Sequence, residues 1–190
     1  MSSNKKPFVV SISAVSGGGK TTIVTELKKI LVNSNALYFD NYNFDGPDDI
    51  CEWVEKGANV HDWILTPIVN DLNSLLAAEQ QSADYILLDY PFSYLHNEMS
   101  SLIDFTIFID TPLDVAMARR LLRDYTNRPI DHVRADACNY IARSRVAYME
   151  MLQTVKPNSD AIIDGCLPVT EIVNKLLAII LDKKDSLQMR

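Results

Sequence analysis

The stretch Phe8-Val-Val-Ser-Ile-Ser-Ala14-Val-Ser16-Gly17-Gly18-Gly19-Lys20-Thr21-Thr22 decides how the chain is read. Phe8 to Ile12 is apolar and β-branched, which predicts a buried strand. Ser16 to Gly19 interrupt it. From Lys20 onward apolar residues recur at Ile23, Leu27, Ile30 and Leu31, the spacing of an amphipathic helix. Strand, glycine loop, Lys-Thr and helix in this order form a phosphate-binding P-loop.

The chemistry explains the residue types. Loop N–H groups must point at phosphate oxygens, so Gly17, Gly18 and Gly19 keep side chains out of the way, with Ser16 and Thr22 at the ends of the cradle. The helix N-terminus adds free N–H groups and partial positive charge. Lys20 would bridge the β- and γ-phosphates of ATP, and Thr21 would place its hydroxyl on Mg²⁺. One position departs from the strict pattern: Ala14 stands where the first glycine is usual, which a negative φ tolerates. The alternative is a glycine-rich turn that binds nothing; three glycines, Lys-Thr and the correct flanks weigh against it.

A length of 190 residues suits one domain, with a lid segment at about 120–135. The net charge of −7 argues against nucleic-acid and anionic-membrane partners. Cys51, Cys138 and Cys166 are too far apart for a metal motif or a disulfide framework and read as small buried or half-buried side chains. Without a signal-peptide core at the N-terminus or an apolar run of membrane-spanning length, the expected location is cytoplasmic.

Along the chain, Ala36 to Phe39 predicts a short strand ending at Asp40, followed by a loop to Gly46-Pro47. Pro47 suits the first turn of a short helix with Ile50, Trp53 and Val54 inward, stopped by Gly57. Thr66-Pro67 opens a helix with Ile68, Leu72, Leu75 and Leu76 on one face, ending around Ala78 to Gln81. Tyr85 to Asp89 and Phe105 to Asp110 are further apolar strands. Thr111-Pro112 caps the helix that carries Arg119, Arg120 and Arg123, and a polar stretch from Asp124 to Asp131 contains Arg128. A long helix is expected from Asp131 to about Val155, then a strand at Ala161 to Asp164. A last helix begins at Val169, with a polar tail from Lys183. Apolar strands alternating with helices predict an α/β fold, a parallel sheet covered on both faces with its ligands at the carboxyl ends of the strands.

Phosphoryl transfer needs a phosphate cradle, Mg²⁺, a group for the acceptor proton and cations on the moving phosphoryl. Asp89 ends an apolar strand in the manner of a Walker B acid and is the candidate Mg²⁺ holder; the bland role is a strand cap. Asp40 is the candidate general base, or else a solvated loop acid. Asp45 would grip vicinal hydroxyls, or else form an Asx turn before Gly-Pro. Arg120 and Arg123 share a helix face and, with Arg128, could close over ATP; a solvated basic face is the alternative. Arg119 is expected to pair with a surface acid. His61, His96 and His132 are isolated in the sequence and receive no role.

Several segments resemble the uridine kinase family of the uridine kinase/phosphoribulokinase group. They are Val-Ser-Gly-Gly-Gly-Lys-Thr-Thr, Phe-Asp40-Asn-Tyr, Asn-Phe-Asp45-Gly-Pro-Asp, the run from Phe108-Ile-Asp-Thr-Pro-Leu-Asp to Arg-Arg120-Leu-Leu-Arg123-Asp, and Asp160-Ala-Ile-Ile-Asp. The resemblance implies a nucleoside-monophosphate-kinase-like P-loop NTPase fold, with a five-stranded parallel sheet, helices on both faces and a helical lid. It implies Asp40 as the catalytic aspartate, Asp45 and Arg120 on ribose hydroxyls, and Arg123 and Arg128 as lid arginines on phosphates. Asp89 falls where the family usually has a glutamate. The spacing of five from Asp40 to Asp45 is shorter than in uridine kinases, and the base-reading segment before the third strand has no counterpart. Tyr42, Tyr90, Trp53 and Trp63 could stack on a ring, the tryptophans otherwise being core.

The expected function is therefore transfer of the ATP γ-phosphoryl to a hydroxyl of a nucleoside or related ribose-bearing small molecule, with ATP and Mg²⁺ as cofactors. Two rivals stay open. One is a kinase of a non-nucleoside alcohol such as a coenzyme precursor, since Leu-Asp89-Tyr-Pro has some similarity to dephospho-coenzyme A kinases. The other is a nucleotide-binding regulator without kinase activity. A GTPase switch is not expected, because the Asn-Lys-x-Asp motif it needs is not met at Asn174-Lys175, which continues to Leu177 within an amphipathic helix; the choice between ATP and GTP as donor stays open.

Overall fold

The computed structural model describes residues 6–77 and 83–189. Strand β1 (Phe8–Ala14) is buried at every position and leads through the glycine loop into α1 (Lys20–Ile30). Strand β2 (Ser34–Tyr38) comes next, then a 3₁₀ turn at Phe39–Asn41 and the short helix α2 (Ile50–Glu55). Helix α3 (Thr66–Ala77), strand β3 (Tyr85–Asp89) and a one-turn helix α4 (Asn97–Ser100) follow. The chain continues through β4 (Phe105–Asp110), α5 (Leu113–Asp124) and α6 (Ile130–Asn139). After α7 (Arg145–Glu150) it closes with β5 (Ala161–Asp164) and α8 (Val169–Gln188).

The five strands form one parallel sheet in the order β2-β3-β1-β4-β5. Alternate residues of each central strand enter opposite layers. Val10, Ile12, Leu87, Ile107 and Ile109 pack under α1 and α8, while Val9, Ile86 and Leu88 pack against α3 and α4. Both faces are thus covered, which is why these strands read as unbroken apolar runs. The connection reverses direction at β1, whose neighbours are β3 and β4. The crevice at that switch point lies at the carboxyl ends of the strands, where the glycine loop emerges.

Several local expectations are corrected. Ile30 is 46% exposed, and Val24 takes its place in the buried face of α1. Helix α2 starts after Asp49 rather than at Pro47, because the Asp49 carboxylate accepts from the Cys51 and Glu52 N–H groups at 2.9 and 3.0 Å. That register leaves Ile50 exposed and buries Cys51. Cys138 and Cys166 are exposed rather than buried. The long helix predicted to about Val155 is interrupted by π turns at Tyr140–Ser144 and Met151–Val155, and α8 continues through the polar tail to Gln188. The expected helix end at Ala78–Gln81 lies outside the described residues.

Thr111 also differs from its expected role. Its hydroxyl does not cap α5; it donates to the Gly18 carbonyl at 2.9 Å, and the residue is 1% exposed. This bond fastens the end of β4 to the glycine loop. A side chain on Gly165 would stand 1.8 Å from that hydroxyl, so glycine is required where the chain turns beneath it. Thr111→Val keeps the volume but leaves the buried carbonyl unpaired, and is expected to lower stability by about 1–3 kcal/mol, read as a lower urea midpoint at unchanged slope.

Candidate active site

The loop is shaped by its glycines. Gly17 and Gly19 adopt φ of +80° and +101°, the left-handed region that side chains avoid. A Cβ on Gly17 would collide with the Ala116 carbonyl at 2.1 Å, and one on Gly18 would sit 2.8 Å from the Ala14 Cβ. Ala14 is therefore close to the largest residue this loop accepts, and it keeps a negative φ as its position in β1 requires. Gly19 is the N-cap of α1 and gives no side-chain cap, while the space where its Cβ would point is open. The first N–H groups of α1 are thus uncapped by side chains, as a phosphate cradle requires. Ser16, Thr21 and Thr22 are exposed around it.

Lys20 reaches across to the Asp89 carboxylate at the end of β3; these side chains are 14% and 2% exposed. Two influences oppose each other at this ammonium. Burial pushes its pKa down to about 8, with Asp40 pulling it back up, while contact with the Asp89 carboxylate favours the charged form. Asp40 is exposed in the 3₁₀ turn just past β2, and its charge also acts on Arg123. The structure therefore brings Lys20, Asp89, Asp40 and Arg123 into one electrostatic neighbourhood. Arg123 is held above its ordinary pKa first by its bond to Asp124 at 2.6 Å, with Asp40 contributing less.

The remaining candidates separate. Asp45 is exposed, and its carbonyl accepts from the Ile64 N–H at 2.8 Å. No ion pair joins Asp45 to Arg120 among the described residues. Arg120 instead lies against the glycine loop, its Cβ 3.3 Å from the place a Gly17 Cβ would take, and its guanidinium pairs with Asp136 of α6. Arg128 is exposed in the segment between α5 and α6, where its charge acts on Asp124. Arg119 pairs with no acid among the described residues; it donates to the Gly165 carbonyl at 3.1 Å.

Three residues at the site escape sequence reasoning. Thr111 looks like a helix cap, and Asp136 and Tyr148 look like ordinary positions of a long helix. Tyr148 is 9% exposed, packs edge-on against Tyr140 at 5.1 Å, and comes close to the Ser16 hydroxyl. Only the folding of α6 and α7 back onto α5 and the loop reveals them.

On the β2–β3 side, Phe39 is the centre of an aromatic group, 4.5 Å from Phe44, 5.8 Å from Trp63 and 6.0 Å from Tyr90. Tyr90 is fully buried and so is core rather than a stacking surface, and Trp53 and Trp63 pack on the same core layer. Tyr42 stays half-buried, its hydroxyl donating to Asp71 at 2.8 Å. His61 and His96 are not isolated, since their rings lie 5.0 Å apart, and burial lowers the pKa of His96.

The residues fit a nucleotide with its metal. The cradle is open at Gly19, and among the described residues no cluster of three or more His, Cys, Asp or Glu side chains could hold a metal by itself. A magnesium ion carried on phosphates needs no such cluster, because one or two protein oxygens suffice. Asp89 and Thr21 are the oxygens beside the cradle.

A glycine loop at the switch point of a doubly covered parallel sheet, flanked by carboxylates and arginines, defines a P-loop kinase of small molecules. The chain belongs to the phosphoribulokinase/uridine kinase family, whose model matches residues 74–173. It is 28% identical over 184 residues to a uridine kinase of Leuconostoc citreum, covering 83% of this chain and 87% of that protein. It is 25% identical over 177 residues to a uridine kinase of Borreliella burgdorferi, covering 82% and 85%. In fold it resembles a gluconokinase from Sinorhizobium meliloti, with a TM-score of 0.58 at 15% identity over 97% of this chain and 98% of that one. A sugar kinase from Janibacter sp. superposes with a TM-score of 0.57 at 18% identity over 93% and 95%. Among the described residues no helix is long and apolar enough to cross a membrane.

As the phosphate cation of a P-loop, Lys20 would act as an ammonium, so binding of metal-free inorganic tripolyphosphate should be strongest below about pH 8 and weaken above it. Asp89→Asn removes the carboxylate that favours the charged form, and the weakening should begin at lower pH. Titration calorimetry across this range checks both; a flat profile in the wild type would exclude Lys20 as the phosphate cation.

Proposed function

We propose that the protein transfers the γ-phosphoryl of ATP to a hydroxyl of an uncharged, ribose-bearing acceptor, a nucleoside or close relative, as one domain with its lid at about 120–135. The observation that carries this reading is the position of Asp40, whose charge acts on both Lys20 and Arg123. A carboxylate whose charge reaches both the loop lysine and an arginine of α5 is suited to take the proton of a hydroxyl that attacks a phosphoryl bound on the loop.

In this mechanism the loop N–H groups, Ser16, Lys20 and Thr22 bind the phosphates. Asp40 accepts the hydrogen bond of the acceptor hydroxyl and takes its proton as the bond to phosphorus forms. Lys20, Arg123 and Arg128 offset charge on the transferring group. Asp89 and Thr21 would hold Mg²⁺, which, when bound, neutralises phosphate charge. Asp45, five residues after Asp40, would orient vicinal hydroxyls of the acceptor.

Charge supports an uncharged acceptor over an acidic one. Residues 40–62, which build the β2 side, carry seven carboxylates, among them Asp40, Asp45, Asp48 and Glu52, against the single Lys56. Their combined field disfavours an incoming carboxylate or phosphate. This weighs against the coenzyme-precursor reading wherever that precursor is anionic.

ADP release from Mg-ATP should be stimulated by a neutral riboside and not by sugar acids or phosphorylated alcohols. Asp40→Asn should lower the rate about 10²–10⁴-fold with little change in ATP affinity, and Lys20→Ala should weaken both binding and rate. Tight ATP binding with no acceptor-stimulated turnover on any alcohol would favour a non-catalytic nucleotide binder.

A further inference from the structure

Two helices beyond the P-loop carry acidic and basic side chains back to the site. Asp136 of α6 receives the Arg120 guanidinium, and both side chains are mostly buried, at 14% and 17% exposed. Arg120 also approaches the Met117 sulfur at 3.4 Å, while its Nε is buried without a hydrogen-bond partner among the described residues. On the other side Arg143, in the π turn after α6, pairs with the Asp49 cap of α2 at 2.7 Å. The α6–α7 rod is thereby tied at one point to the helix bordering the glycine loop. At the other it is tied to the segment that follows Asp40 and Asp45. Tyr148 fills the space between rod and loop against Tyr140.

These contacts have different physical weight. The Arg143–Asp49 pair is half exposed, and such pairs contribute little. The Arg120–Asp136 pair is shielded from water and fixes a long side chain that otherwise has many rotamers. The Arg120 Nε is buried with no hydrogen-bond partner among the described residues, while the Arg120 Cβ lies against Gly17 of the glycine loop. An arginine held in this way has its ordering cost met before nucleotide arrives.

We propose that Asp136 is a positioning residue that fixes Arg120 against the glycine loop, so that Arg120 serves the phosphate side of the site rather than the acceptor hydroxyls. The inference rests on the P-loop being the nucleotide site. Its physical signature is a split between binding and rate. Without the carboxylate, the Arg120 charge is no longer offset, so polyphosphate binds at least as tightly. The guanidinium is no longer held in place, so the chemical step slows.

The test is Asp136→Asn, close to isosteric, beside Asp136→Glu, Arg120→Met and the double variant Arg120→Met/Asp136→Asn. Three readouts are taken: the calorimetric Kd of inorganic tripolyphosphate, the KM for ATP and kcat with the best acceptor, and the thermal midpoint. The expected result for Asp136→Asn is an unchanged or lower Kd and KM with kcat reduced about tenfold or more. Asp136→Glu should restore much of the rate, and the double variant should be no slower than Arg120→Met alone. Wild-type kcat in Asp136→Asn, or losses that add in the double variant, would overturn the proposal and leave Asp136 a merely structural partner. Should Asp136→Asn melt below the assay temperature, the comparison of Asp136→Glu with Arg120→Met decides by the same split. Failure of the wild type itself to bind tripolyphosphate would instead remove the P-loop reading, and this inference with it.

Discussion

The first turn of α1 carries backbone N–H groups that no side chain caps, and the rest of the site is arranged around that deficit. Gly19 at the N-cap gives nothing back to the helix, and its left-handed backbone turns the loop so that the next amides converge. A helix N-terminus in this state is a standing anion site, because donors and partial positive charge point the same way. Holding it open requires a rigid frame. The frame is β1 at the centre of the sheet, the Ala116 carbonyl pressed against Gly17, and the Thr111 hydroxyl bonded to the Gly18 carbonyl. The loop is therefore clamped from two neighbouring elements rather than stabilised by itself.

Around this cradle, cations are held by carboxylates of the protein. Lys20 rests on Asp89, Arg120 on Asp136 and Arg123 on Asp124. In a chain of net charge −7, this keeps a concentrated positive site from repelling itself. The pairs differ in burial, and burial decides their meaning. The Lys20 and Arg120 pairs are shielded and fix geometry, whereas the Arg123 side chain is 62% exposed and its pair with Asp124 is weakly held. The β2 side has the opposite character, rich in carboxylates and aromatic rings. The two halves of the site thus differ in charge, cationic side chains at the glycine loop and carboxylates with aromatic rings on the β2 side.

Much of this was legible in the sequence. Buried parallel strands announce themselves as apolar runs, and the glycine-Lys-Thr cluster is constrained by chemistry within a few consecutive residues. The carboxylates Asp40 and Asp89 were legible because each closes an apolar run, and strand ends of a parallel sheet share one edge. The short helix α2 was misplaced at its start because Asp49 is the better cap and Pro47 only a permissive one. Thr111 was misread because a Thr-Pro pair before a helix has two possible partners, the helix and whatever packs beside it.

What the sequence determined by itself was local and periodic: the order of strands and helices, the phosphate loop, the acid that ends β3 and the acid just past β2. Tertiary structure alone decided which side chains meet across that framework. Arg120 meets Asp136 and Arg119 meets Gly165, pairs separated by 16 and 46 residues. Thr111 reaches Gly18 across 93 residues. No local propensity encodes such pairings. They follow from how α5, α6 and α7 fold over the carboxyl edge of the sheet, and that is set by packing of the whole core rather than by any short stretch of chain.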